Sequence, residues 1–234
     1  MANSARQSDI GPLQQRLGYQ FHNTQLLRLA LTHKSYAKQN NERLEFVGDA
    51  VLGYLVGSML YRKYPNVQED SLSLMRAELV RGRTLASLAK EIGLAPLLLL
   101  GSGELKSGGR ERGSILANAV EAIIGATHED GGIQACVELV DKLYAQRLEN
   151  LDAQSLKDAK TQLQELLQGQ GLELPVYEIQ DVSGADHQRQ YCVSCSVSAL
   201  DKRASASASS RRGAEKAAAQ LVLRELHNEG IDHE

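Results

Sequence analysis

From its start to about residue 149 the chain sets its apolar residues three and four positions apart, the spacing of helices buried along one side. Leu13, Leu17, Leu26, Leu27, Leu29 and Leu31 mark short helices near the N-terminus. Residues 42–64 read as one long helix stopped by Pro65, because proline cannot continue the hydrogen-bond ladder. A second helix, from about Asp70 to Gly93, carries Leu72, Leu74, Met75, Leu79, Leu85 and Leu88. The segment GSGELKSGG (101–109) holds too much glycine for a helix and reads as a loop. Helical spacing resumes over 114–127 and 133–148.

The pattern then changes. Residues 150–158 are polar and mixed, as a linker is. Residues 160–168 are helical, whereas 176–181 and 190–197 alternate apolar and polar positions as half-buried strands do. A weaker third strand is expected over 202–207, running into the low-complexity tract ASASASS (204–210), and an Ala-rich helix closes the chain over 211–227. The expected architecture is a multi-domain chain: an all-α domain over 10–132 with a helical extension to about 149, a linker over 150–158, and a small α+β domain of order α-β-β-β-α over 159–228.

Composition narrows the classes. Of the 234 residues 42% are apolar but only 4% aromatic, with no Trp, so the cores rest on Leu, Val, Ile and Ala. No run approaches the roughly 18 consecutive apolar residues of a membrane span, and the first nine residues lack the apolar stretch of a signal peptide. A soluble, cytoplasmic protein with no membrane partner is expected. Residues 1–150 hold 17 Lys+Arg against 16 Asp+Glu, net +1, and 151–234 hold 9 against 13, net −4. A phosphate-rich partner would therefore need a local basic cluster rather than an overall excess. Cys136 reads as a small buried hydrophobe. Cys192 and Cys195 form a C-x-x-C within an alternating strand, where residues three apart point to opposite faces and do not share a metal.

Candidate chemistry begins at NERLEFVGDAVL (41–52). On a helix Glu42, Glu45 and Asp49 fall at i, i+3 and i+7 on one face, with Leu44, Val47, Val51, Leu52 and Leu55 spread over the core-facing sides. Like charges so placed disfavour a helix slightly, and Gly48 costs up to ~1 kcal/mol relative to Ala. A solvated acidic stripe is one reading, but it leaves the glycine and the apolar flanks unexplained. A divalent metal is the other, since hard cations take oxygen ligands. Downstream, ILANAVEAIIG (115–125) places Asn118 and Glu121 at i, i+3 in an almost wholly apolar helix, and a polar pair there needs a partner. Docking that helix on the first would complete an oxygen-lined site. His33 and His128 read as structural or surface residues, and no arrangement of Ser, His and Asp stands out.

The segments 41–50, 101–109, 114–125 and LTHKSY (31–36) closely resemble, in order, the blocks of the ribonuclease III family, and residues 159–228 resemble the double-stranded-RNA-binding domain. The resemblance spans about Ile10 to His227. It implies a helical endonuclease domain that forms a homodimer with two active sites in one RNA-binding valley. Each site would hydrolyse one strand of double-stranded RNA, leaving 5′-phosphate and 3′-hydroxyl ends with short 3′ overhangs. It further implies Mg²⁺, with Mn²⁺ as a substitute, and no organic cofactor.

By matching positions, Glu45, Asp49 and Glu121 carry the metal and the chemistry, with Asp49 and Glu121 catalytic. Glu42 matches an acidic position near the subunit interface, and Glu69 one that helps arrange the site. Asn118 stands where the family has Asp, so the site loses a negative charge. The alternative that follows is a double-stranded-RNA-binding dimer with weak or no cleavage. In the second domain the resemblance assigns RNA contacts to Thr161, Gln164, Glu165 and Gln168 on the first helix, to His187 in the loop between the first strands, and to Ser210, Arg211 and Arg212 at the start of the last helix. Gly213 stands where the family often has Lys or an acidic residue.

Overall fold

The computed structural model describes residues 10–151, 158–185 and 188–231. It divides into two compact units, Met1–Ala153 and Gln154–Glu234.

The first unit is all-helical: α1 (Gly11–Leu17), α2 (Thr24–Ala30), α3 (Glu42–Lys63), α4 (Glu69–Val80), α5 (Gly82–Glu91), α6 (Ser102–Lys106) and α7 (Gly113–Glu149). Its centre is α7, which packs on α3, α5 and α2. The inner faces are almost entirely aliphatic: Leu52, Leu55, Val56 and Leu60 of α3 and Leu116, Val120, Ile123 and Ile124 of α7 are all buried. By length and apolarity alone α3 could cross a bilayer, but its packing on α7 makes it a core helix of this unit.

Two of the helical expectations need correction. The helix foreseen from Asp70 to Gly93 is two helices, broken at Arg81, whose ψ of 151° is extended. The apolar phase slips there, because Met75 and Leu79 are followed by Leu85, Leu88 and Ala89 at a spacing no single stripe can hold. Glu78 secures the corner by pairing with Arg81 at 2.7 Å and Arg83 at 2.9 Å, while its carbonyl accepts from the Thr84 hydroxyl. The segment read as a loop over 101–109 contains the short helix α6 and, over Gly109–Glu111, a turn of 3₁₀ helix. The two C-terminal helical segments are separate, as expected: the run labelled α7 is two helices that meet in a kink at Gly132, whose φ of 72° and ψ of −170° are not helical.

At that kink Asp130 is nearly buried. Its carboxylate accepts from the Tyr19 hydroxyl and from the backbone N–H groups of His22 and Asn23, each at 2.8 Å. Burial alone would raise its carboxyl, but these donors outweigh it and hold the group below the usual carboxylate range. The clamp fixes the α1–α2 loop to the bend in α7.

The second unit is α8 (Ala159–Gly169), β1 (Val176–Ser183), β2 (Gln190–Val197), β3 (Lys202–Ala208) and α9 (Arg211–Asn228). The strands form one antiparallel sheet of order β1-β2-β3. Leu163, Leu166 and Leu167 of α8, Cys195 and Val197 of β2, and Ala218, Ala219, Val222 and Leu223 of α9 make the core. β3 is not weak: it pairs with β2 at every residue from Lys202 to Ala208. Its Ala and Ser residues alternate strictly, with Ala204 and Ala206 packed against the core and Ser205 and Ser207 exposed. Cys195 is buried while Cys192 is only half-buried, so the C-x-x-C does not converge.

Candidate active site and nucleic-acid face

The N-cap of α3 is set by Asn41, which is buried and donates from its side chain to the Ala30 carbonyl at 3.1 Å and from its backbone to the Thr32 carbonyl at 2.9 Å. This anchorage fixes the rotation of α3. Leu44, Gly48 and Leu52 face inward, Glu45 is half-buried, and Glu42 and Asp49 are exposed. On α7, Asn118 and Glu121 are half-buried, bracketed by buried Ala117, Ala119, Val120 and Ala122.

Two glycines bring these helices together. A Cβ on Gly48 would overlap the backbone carbonyl of Glu121, and one on Gly125 would overlap the carbonyl of Leu44. The presence of Gly48 therefore has a packing reason, which sequence reasoning credited to metal binding. The close approach carries Glu121 into the field of Asp49 and Glu45. Burial first, then repulsion from Asp49 and Glu45, push the Glu121 carboxyl up to about 7. Glu45 is also raised, chiefly by burial and then by Glu42 and Asp49, while a hydrogen bond from the Asn118 carboxamide works the other way.

The candidate carboxylates do not all gather. Glu42 adds to the field on Glu45 but is itself ion-paired to Lys34 at 3.0 Å. Glu69 opens α4, where it accepts from the Ser73 hydroxyl at 2.8 Å. It begins the helix that follows α3, and its side-chain hydrogen bond is to Ser73 and not to a member of the cluster. Among the described residues no three His, Cys, Asp or Glu side chains form a ready-made metal cage. His33 contacts Ser35, and His128 contacts Glu129.

In the second unit Thr161, Gln164 and Gln168 lie exposed along α8, with Glu165 half-buried beside them. His187 lies outside the described residues. The Ser210 hydroxyl caps α9 by accepting from the Gly213 N–H at 3.1 Å, and a Cβ on Gly213 would press on that oxygen and on Ala208. Arg211 and Arg212 follow, both exposed. Sequence reasoning passed over Glu215, which is 8% exposed. It accepts from Arg211 Nε at 2.8 Å and Lys160 Nζ at 2.5 Å. The i, i+4 spacing of Arg211 and Glu215 was the available signal.

A sequence profile described as Ribonuclease-III-like matches residues 23–148, more than half of the chain. Proteins named Ribonuclease 3 from Vibrio vulnificus and Photobacterium profundum are 49% and 48% identical to it over 222 residues, spanning 94% of this chain and 99% of theirs. The chain belongs to the ribonuclease III family. It is an endoribonuclease, and its second unit matches, over residues 159–226, a profile described as double-stranded RNA binding motif. Among solved structures the nuclease domain of ribonuclease III from Campylobacter jejuni is similar, with 41% identity and a TM-score of 0.59 over 62% of this chain and 99% of that one. A second structure of that nuclease domain, 43% identical with a TM-score of 0.56 over 58% of this chain and 99% of that one, is described by flexibility in a region involved in dimer formation. The family thus accounts for the helical unit that holds Glu45, Asp49, Asn118 and Glu121 and for the α-β-β-β-α unit that follows.

Proposed function

We propose that this ribonuclease III is a divalent-metal-dependent endonuclease, acting as a homodimer in the cytoplasm on the double-stranded regions of ribosomal and transfer RNA precursors and structured messages. It leaves 5′-phosphate and 3′-hydroxyl ends with short 3′ overhangs. Residues 10–132, extended to 149, carry the chemistry, 150–158 link, and 159–228 hold the duplex.

The observation that carries this reading is the close α3–α7 crossing at Gly48 and Gly125, which brings Glu121 beside Asp49 and Glu45 and so raises its carboxyl. Three carboxylates gathered by a backbone-tight helix crossing repel one another, and a cation would relieve that repulsion. The donors are all oxygens, which suits Mg²⁺, with Mn²⁺ as a substitute. Such an ion commonly keeps several waters and meets substrate phosphates. Glu45, Asp49, Glu121 and the Asn118 carbonyl would hold it. When bound, the ion polarises the scissile phosphate and stabilises the attacking and leaving oxygens. Asp49 and Glu121 orient the attacking water, and one of them takes its proton.

In the second unit, the polar face of α8 meets 2′-hydroxyls in a minor groove. The dipole end of α9 with Arg211 and Arg212 meets phosphates across the major groove.

A homodimer is supported by Phe46, Tyr54 and Tyr61, which are 78%, 66% and 74% exposed on one side of α3. A patch of that kind on a soluble domain marks an interaction surface.

The Asn118 carboxamide beside Glu45 favours a second reading, a duplex-binding dimer that cuts weakly or not at all, because it carries no negative charge where an aspartate would. Incubating a long RNA duplex with the protein and Mg²⁺ decides between them. Chelator-sensitive cleavage, abolished by Glu121→Ala or Asp49→Ala with duplex binding retained, supports the endonuclease. Binding without cleavage supports the second reading, and vigorous cleavage in excess chelator sinks the metal mechanism.

A further inference from the structure

The network at the start of α9 contains a group that no RNA contact requires. Glu215 is buried against α8, yet its two carboxylate oxygens are both engaged by cations from the surface. One accepts from Nε of Arg211, a turn earlier on α9, at 2.8 Å, and the other from Nζ of Lys160 on α8 at 2.5 Å. The Lys160 ammonium is further held 4.4 Å from the centre of the Tyr177 ring. A reciprocal pair crosses the same two helices, with Lys216 of α9 3.4 Å from Asp158, the N-cap of α8.

The consequence for Arg211 is geometric. With Nε occupied by Glu215, the guanidinium plane is fixed at its inner edge and the two terminal nitrogens remain on the exposed side, where the side chain is 62% accessible. Arg212, its neighbour, has no ion-pair partner among the described residues. Of two adjacent arginines at one helix start, one is ion-paired to a buried carboxylate and the other is exposed.

We propose that Glu215 is a positioning residue for duplex binding: anchored by Lys160, it presents the Arg211 guanidinium to the phosphate backbone. The inference rests on the reading of Arg211 as a phosphate contact. Two effects of Glu215 oppose each other. Its negative charge weakens attraction to phosphates, but the carboxylate is buried and already matched by two cations, so little of that charge is felt outside. Pre-ordering a long side chain is worth a factor of about 2–12 in affinity. Pre-ordering is the larger effect.

The experiment uses the full chain and a perfectly paired RNA duplex of about 16 base pairs, the span of such a domain, in chelator so that nothing is cut. Dissociation constants are measured for Glu215→Gln, Arg211→Ala and Arg212→Ala and for both doubles with Glu215→Gln. Glu215→Gln should weaken binding about five-fold in the wild-type and Arg212→Ala backgrounds, and less than about two-fold once Arg211 is gone. Unchanged or tighter binding by Glu215→Gln overturns the proposal, as does a full five-fold loss in the Arg211→Ala background, which would mean a role in the fold. If Arg211→Ala itself does not weaken binding, the phosphate reading of α9 fails, a separate result from a silent Glu215. Should Glu215→Gln not fold, the wild-type chain decides through its Arg211 Hε proton. A resolved, slowly exchanging resonance near neutral pH is required, and its absence overturns the proposal.

Discussion

Gly48 on α3 and Gly125 on α7 meet backbone to backbone, each closing the space where a side chain on the other would begin. Alanine at position 48 would gain about 1 kcal/mol in helix propensity. Forcing its methyl into a filled contact typically costs about 1–3 kcal/mol. The cost wins, because the opposing atoms are the Glu121 carbonyl group and the Gly125 nitrogen, which cannot turn aside. Gly48→Ala should lower Tm by several degrees and cut the cleavage rate more than tenfold, since the same shift parts Glu121 from Asp49. Thermal melts and initial rates check this, and an unchanged pair of values contradicts it.

Glu121 makes metal binding depend on pH. Its folded carboxyl, at about 7, lies above its ordinary value of 4.5. The protonated form is therefore the favoured one in the metal-free fold, and stability from this group is lost as pH rises from about 4.5 to 7. A cation replaces the proton. The rise in Tm on adding Mg²⁺ should accordingly grow with pH up to about 7 and level off above it. In Glu121→Gln that dependence should flatten, and a Tm shift equal at all pH values in the parent protein would refute the link.

Asn118→Asp should restore a full negative charge beside Glu45. Cleavage should then need less Mg²⁺, because charge at oxygen ligands tunes the affinity of hard cations. Mn²⁺ should rescue the Asn form relative to Mg²⁺, and duplex binding without metal should hardly move. A metal titration of initial rate for both forms provides the measurement. Identical midpoints and plateaus would show that position 118 does not touch the ion.

Tyr54 tests the dimer. At 66% exposure it contributes little to the fold of one chain, so Tyr54→Glu should leave Tm of a dilute sample within a few degrees while moving the protein toward monomer in sedimentation equilibrium. An unchanged dimer places the interface elsewhere.

The carboxylates were legible because an acidic residue costs too much inside an apolar run to sit there without cause, and Glu45, Asp49 and Glu121 each break such a run. Their meeting depends on the α3–α7 crossing, of which the sequence carries only the two glycines, and Gly48 was read as a cost in need of a metal. The break at Arg81 was hidden because Leu79 and Leu85 look like one helical stripe until their six-residue gap is laid on a wheel. β3 looked poor because Ala and Ser are weak strand formers, yet their alternation is what a strand beneath a packed helix needs. Glu215 escaped notice for another reason: a Glu flanked by charged residues in an Ala-rich helix looks solvated, and only the fold brings Lys160 to it.

Gly132 carries a consequence of a different kind. Its φ of 72° and ψ of −170° are the mirror image of ordinary extended backbone, a region closed to L-residues but natural to D-residues. No neighbouring atom would meet a side chain there, so the restriction comes from handedness and not from space. Between the stretch of α7 that bears Asn118 and Glu121 and the stretch that closes the core with Tyr144, the bend depends on glycine, the only amino acid type without a handed Cα. A synthetic protein with D-alanine at this position should keep the bend that L-alanine would resist.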